Sequence, residues 1–171
     1  MYRNTIVVVA TLTLFGCTGA GQKLPEKRNI QNSKVVNASY DETWNTVVEF
    51  FAVNNTPLEK VEKEDGLITS ARHLRSRNEL DCGEATGQIS WASAKMENVG
   101  GNVNVVVRAV GKEQTKVIIS VFGRGEIHIR NAYGNSLSAQ EAACVSTGVL
   151  EKSLFSLSLI HISEPTRPLY I

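Results

Sequence analysis

The 171-residue chain has no apolar run approaching the length of a membrane-spanning helix, which needs ~20 residues. A permanent membrane-spanning helix is not expected. Charge of one sign is missing too. Eighteen lysines and arginines face 17 aspartates and glutamates, so no global field draws in nucleic acid or an acidic substrate. Nucleic acid is not expected as a partner. Cysteine is scarce: Cys17, Cys82 and Cys144 form no Cys-x-x-Cys pair, and thiol–disulfide catalysis has no support.

Catalytic signatures are also absent. There is no G-x-S-x-G, no Walker A loop, no H-E-x-x-H and no dinucleotide fingerprint. His73 and His128 lie at no ligand spacing from another metal-binding residue and read as a loop and a surface-strand histidine. Glu79, Asp81 and Glu84 read as a solvated acidic loop, since nothing sets two of them across a cleft. No catalytic residue, metal or cofactor is expected, and an enzyme is disfavoured.

What is present begins at the amino terminus. Arg3 is followed by the uncharged, mostly apolar run Thr5 to Phe15 (TIVVVATLTLF), closed by Gly16 and Cys17. A positive start and a short apolar stretch predict a signal peptide over residues 1–16. Leu14-Phe15-Gly16-Cys17 resembles the lipobox of bacterial lipoproteins, with Phe15 where the family prefers a smaller residue. The resemblance implies cleavage before Cys17, a diacylglycerol on its thiol and acylation of the freed amine. Two or three acyl chains, at ~0.8 kcal/mol per buried methylene, hold a small domain stably on a bilayer. Thr18, in place of aspartate, implies the outer membrane of a Gram-negative cell, with the domain facing the periplasm. The expected partners are the membrane, through Cys17, and envelope proteins. Residues 17–34 are polar, glycine-containing and aperiodic, which predicts a flexible tether. An exported address leaves Cys82 and Cys144 as an even pair suited to a disulfide, with two buried thiols as the alternative.

The carboxyl terminus reads differently. Leu157 to Arg167 (LSLIHISEPTR) resembles, codon for codon, the conceptual translation of a transposase sequencing adapter, running on through Pro168 to Ile171. Residues 157–171 are therefore set apart from the native chain, and His161, Pro165 and Pro168 carry no functional argument.

Residues 35–156 form one expected α+β domain. Ser39-Tyr40-Asp41-Glu42 is a capping box, and Tyr40, Trp44, Val47, Val48 and Phe51 make one apolar stripe on a helix running to about Val53. Asn54, Asn55 and Pro57 end it. Leu58 to Lys63 and Leu67 to Ala71 flank Asp65-Gly66 as a hairpin, with Val35 to Asn37 as a strand pairing with either arm. Further strands are expected at Gly87 to Ala94, Asn102 to Val110, Thr115 to Phe122 and Glu126 to Arg130. Gly100, Gly101, Gly123 and Gly125 read as turn or bulge positions. A polar loop around Tyr133 to Ser138 leads to a closing helix over Ala139 to Ser156 that carries Cys144.

The predicted architecture is an antiparallel sheet with one N-terminal and one C-terminal helix packed on it. In outline it is similar to the helix-grip domains of lipoprotein component C of the β-barrel assembly machinery, and to small lipoproteins with one cysteine ahead of the sheet and another at the final helix. Arg72, His73, Arg75 and Arg77 form the most basic local patch, a candidate contact for an anionic surface, with a solvated loop as the plainer reading. The expectation is a tethered, non-catalytic envelope lipoprotein with an assembly or protein-interaction role. The alternative is a module enclosing a small hydrophobic ligand between the Trp44 helix and the Val103 strand.

Overall fold

The computed structural model describes residues 21–74, 77–87 and 91–163, with side chains to residue 156 and that of Leu74 excepted. The elements are β1 (Gly21–Lys23), β2 (Ser33–Val36), α1 (Tyr40–Val53), β3 (Leu58–Glu62), β4 (Leu67–Ser70), β5 (His73–Leu74), β6 (Leu80–Asp81), β7 (Glu84–Thr86), β8 (Ala92–Gly111), β9 (Gln114–Asn131), β10 (Ser136–Ser146) and α2 (Val149–Ser163). The fold is α+β, with a helix near each end of the described chain and an antiparallel sheet between them.

Helix α1 forms for local reasons. The Ser39 hydroxyl accepts from the Glu42 amide while the Glu42 carboxylate accepts from the Ser39 amide, and Asp41 adds a favourable charge in the first turn. Asn55 takes φ 47° just past the helix end. Thr43, Trp44, Val47, Phe50 and Phe51 are buried; Tyr40 and Val48 pack at the edge of the same core. In the β3–β4 hairpin, Gly66 has φ 65° and a Cβ there would overlap the Val107 carbonyl. Only glycine fits this turn without strain.

The main sheet runs β3-β4-β8-β9-β10-β6, with β2 on β9 and β5 on β8. Several expectations need correction. Of the strand foreseen at Gly87 to Ala94, residues 88–90 lie outside the described residues and Gly87 and Trp91 are not strand; from Ala92 it merges with the one at 102–110 into one strand of 20 residues, and those at 115–122 and 126–130 are one of 18. Gly101 pairs with Gly123 in mid-ladder, so these glycines end nothing. Thr115, Val117, Ile119, Val121, Gly123, Gly125 and Ile127 share one parity on β9 and face the interior together. The glycines keep the strand's period of two and leave room for neighbours. A Cβ on Gly123 would lie 2.7 Å from Leu80 Cδ2 and 2.9 Å from Cys144 Cβ, and one on Gly125 would lie 2.9 Å from Met96 Sδ. On β8 the register shifts by one residue at Asn98, whose φ is 50°. This bulge brings Met96, before it, and Val103, after it, to the same face.

The expected closing helix over Ala139 to Ser156 is half strand. Residues through Cys144 pair with β9, Val145 and Ser146 pair with β6, and α2 begins only after Gly148, at φ 89°. Helix-favouring Ala and Glu residues are overridden by the ladder and by the burial of Ala142, Cys144 and Ser146 on alternate positions. Strand β2 pairs with β9, not with either arm of the β3–β4 hairpin. The tether is not free over its described part. β1 pairs with β7, and the Gln22 side chain bonds Cys82 O at 2.7 Å and Ala143 O at 2.5 Å while accepting from Ala143 N at 3.2 Å. Backbone 157–163 continues α2.

One sheet face therefore carries two cores. Helices α1 and α2 cover the first, which joins Trp44, Val47, Phe50 and Phe51 to Val103, Val105, Val107, Val117 and Ile119, and to Leu150, Leu154 and Phe155. The second joins Leu80, Cys82, Met96, Val99, Ile127, Ala142 and Cys144, with Val121 packed against both. Gly123→Val is expected to destabilise the domain by about 1–3 kcal/mol through overpacking. Leu80→Ala should recover part of that loss in the double variant, a non-additivity readable from urea midpoints.

Candidate functional site

The face of β8 and β9 opposite the cores carries the molecule's concentrated polar chemistry. On β9, Phe122, Arg124, Glu126, His128 and Arg130 occupy the parity that alternates with the buried residues. Arg130 makes a two-pronged ion pair with Glu97 on β8, at 3.2 Å from Nε to Oε1 and 2.7 Å from Nη2 to Oε2. Glu126 accepts from Asn98 Nδ2 at 2.7 Å and lies 2.9 Å from His128 Nε2. The bulge at Asn98 is what delivers that amide to Glu126.

These contacts set the electrostatics. The hydrogen bond from Arg130 holds the Glu97 carboxyl below the usual glutamate range. The hydrogen bond from Asn98, then that from His128, lowers Glu126, with a further attraction from Arg72. Depressed carboxyls contribute stability that is complete above the unfolded glutamate value and is lost as pH falls through the lower folded values. Carboxyl NMR titration should find both groups below the ordinary glutamate range, and urea midpoints should fall over that acidic interval. Midpoints that rise on acidification would contradict the assignment.

Beside this network lies a groove of about 560 Å³, lined by Arg72, Asn102, Phe122 and Arg124 and reaching the main chain at Gly100, Gly101 and Gly123. Arg72 and Arg124 are exposed, and Arg124 stands 3.7 Å from Glu141. Two guanidinium groups with an exposed aromatic ring suit a carboxylate or phosphate on a flat ligand. A second groove, of about 440 Å³, runs between Ile30, Lys34, Lys152 and Phe155.

The residues singled out in the sequence fall in separate places. Cys82 and Cys144 form a disulfide, with Cα atoms 4.0 Å apart; Cys144 lies on β10, not on a helix. Arg72 reaches the groove, and His73 is exposed on β5, which pairs with Gly100 and Gly101. The Arg77 guanidinium donates to Met96 O at 2.8 Å. Arg75 and Cys17 lie outside the described residues. Asp81 pairs with Arg28 at 3.0 Å and Glu84 with Lys23 at 3.4 Å, so these two carboxylates fasten the N-terminal segment. His128 is half-buried beside Glu126 instead of lying free on the surface. Among the described residues, no group of three or more His, Cys, Asp or Glu side chains is placed to hold a metal ion.

Sequence reasoning missed Arg124, the Glu97–Arg130 pair and the Gln22 clamp. The shared parity of Phe122, Arg124, Glu126, His128 and Arg130 was the available signal; reading Gly123 and Gly125 as a turn hid it. No protein-family model matches the chain, and no curated protein matches it in sequence.

Proposed function

We propose that this protein is a non-catalytic lipoprotein of the bacterial envelope, tethered through lipid on Cys17 and displaying its α+β domain to the periplasm for assembly or protein interaction. The observation that carries this reading is the Cys82–Cys144 disulfide. Bridging suits an oxidising compartment and leaves Cys17, at the end of the lipobox-like Leu14-Phe15-Gly16-Cys17, as the odd cysteine. Among the described residues no helix is long and apolar enough to cross a membrane; in this reading attachment is through the lipid on Cys17. The paired carboxylates of the polar face fit a recognition surface better than an acid/base centre.

The space between α1 and the sheet is occupied by side chains: Val47, Phe51, Val105 and Ile119 are fully buried in one cluster. That packing favours an interaction surface over an enclosed hydrophobic ligand. Cys17→Ser tests the tether. The variant is expected to lose carbonate-resistant membrane association and the mature-size shift. A variant that keeps both contradicts the reading.

A further inference from the structure

One end of the molecule is unlike the other. The start of β8, the end of β9 and the start of β10 meet there, with Ala92 paired to Asn131 and the Ala132 amide bonded to Trp91 O at 3.1 Å. Trp91 is 58% exposed, Tyr133 90% and Leu137 49%. Isolated exposed apolar residues are ordinary, but here a tryptophan and a tyrosine share one end. The chain from Asn131 to Gln140 also carries no charged residue. The turns at the opposite end are charged, with Glu64 and Asp65 between β3 and β4 and Lys112 and Glu113 between β8 and β9.

The start of β1 lies within reach of this same end. In the β1–β7 ribbon Gly21 pairs with Thr86 and Lys23 with Glu84. Gly21 and Thr86 therefore share one end of the ribbon, and Trp91 follows Thr86 by five residues, a separation of about 18 Å at most. Cys17 precedes Gly21 by four residues, a reach of about 14 Å at most. Gln22 pins β1 to Cys82 and Ala143, so the point of departure is fixed on the disulfide-bearing part of the domain.

We propose that the end bearing Trp91, Tyr133 and Leu137 docks on the interfacial layer of the membrane that holds the Cys17 lipid; this rests on the lipid-anchor reading. Tryptophan and tyrosine favour the headgroup level, where an apolar ring and a polar N–H or O–H are both satisfied. The turn's own residues bring no charge into that layer, and the guanidinium that reaches it, Arg130 on Gly134 O at 3.2 Å, is ion-paired with Glu97. The acyl chains supply the attachment, and the aromatic end sets the orientation. The polar face of β8 and β9 then stands beside the bilayer, open to a periplasmic partner.

Trp91 and Trp44 are the two tryptophans, and Trp44 is buried under α1. The test uses the full lipidated chain in phosphatidylethanolamine–phosphatidylglycerol vesicles, with and without brominated acyl chains. Subtracting the emission of a Trp91→Phe variant isolates Trp91. Docking predicts that the Trp91 component shifts to shorter wavelength on vesicle binding and loses intensity with brominated lipid, while Trp44 in the variant keeps its emission. Protein that floats with vesicles but shows an unshifted, unquenched Trp91 component overturns the docking and leaves the anchor intact. Protein that carries no acyl chain and does not float overturns both.

Discussion

Replacing Cys82 and Cys144 together with alanine is expected to lower the unfolding free energy by about 4 kcal/mol. The bridge spans 62 residues of sequence, and a loop of that size removes about that much chain entropy from the unfolded state. The loss should also be visible in the unfolded ensemble. Without the bridge the unfolded chain expands, so the urea dependence of stability should steepen as the midpoint falls. The bridge also fastens the loop between β6 and β7 to β10, and Gln22 bonds to that loop through Cys82 O and to β10 through Ala143 O. Amide exchange in β1, β6 and β7 should therefore accelerate more than in β8. Urea unfolding of the double variant beside the oxidised parent checks the prediction, and a change below about 1 kcal/mol would mean that the ladder and second core carry this region alone.

The second large effect is expected at Phe51. Its side chain is fully buried, packs edge-on to Phe50 at 5.6 Å between ring centroids, and belongs to the cluster joining α1, α2 and four strands. Phe51→Ala should cost about 3–5 kcal/mol, the loss of transfer free energy plus an unfilled cavity. Val53→Ala on the same helix is the control. Val53 is 68% exposed, so its replacement should change stability by less than about 0.5 kcal/mol. Equal effects at the two positions would contradict the placement of α1.

What the sequence made legible was local. Ser39 and Glu42, the stripe of Trp44, Val47 and Phe51, and the stop at Asn55 and Pro57 all act within a few residues, and α1 stands where they put it. Asp65-Gly66 gave the first hairpin for the same reason. The long strands were harder, because glycine has two uses. Gly123 and Gly125 make room for Leu80, Cys144 and Met96, residues that only the tertiary fold brings near. Ala139 to Ala143 has helical composition yet pairs with β9, since the ladder and alternate burial outweigh intrinsic preference. The tether misled for a similar reason: Gln22 looks like any polar residue until Ala143 lies beside it.

The site shows the same division. Arg72 stood out as part of a basic run, but Arg124 joins it in the groove through the pairing of β8 with β9. Glu97 and Arg130 are complementary across a ladder whose register depends on one bulge at Asn98. Pairing rules read strand by strand find such partners only when the strands' lengths are right.

Lipid tethering is tested most directly by the intact mass of the protein purified from the membranes of a Gram-negative host. The account predicts a mature chain that begins at Cys17 and carries a diacylglyceryl group on its sulfur and an acyl group on its amine, with Cys82 and Cys144 still bridged. A chain that begins at any other residue, or that begins at Cys17 without added lipid mass, would contradict it.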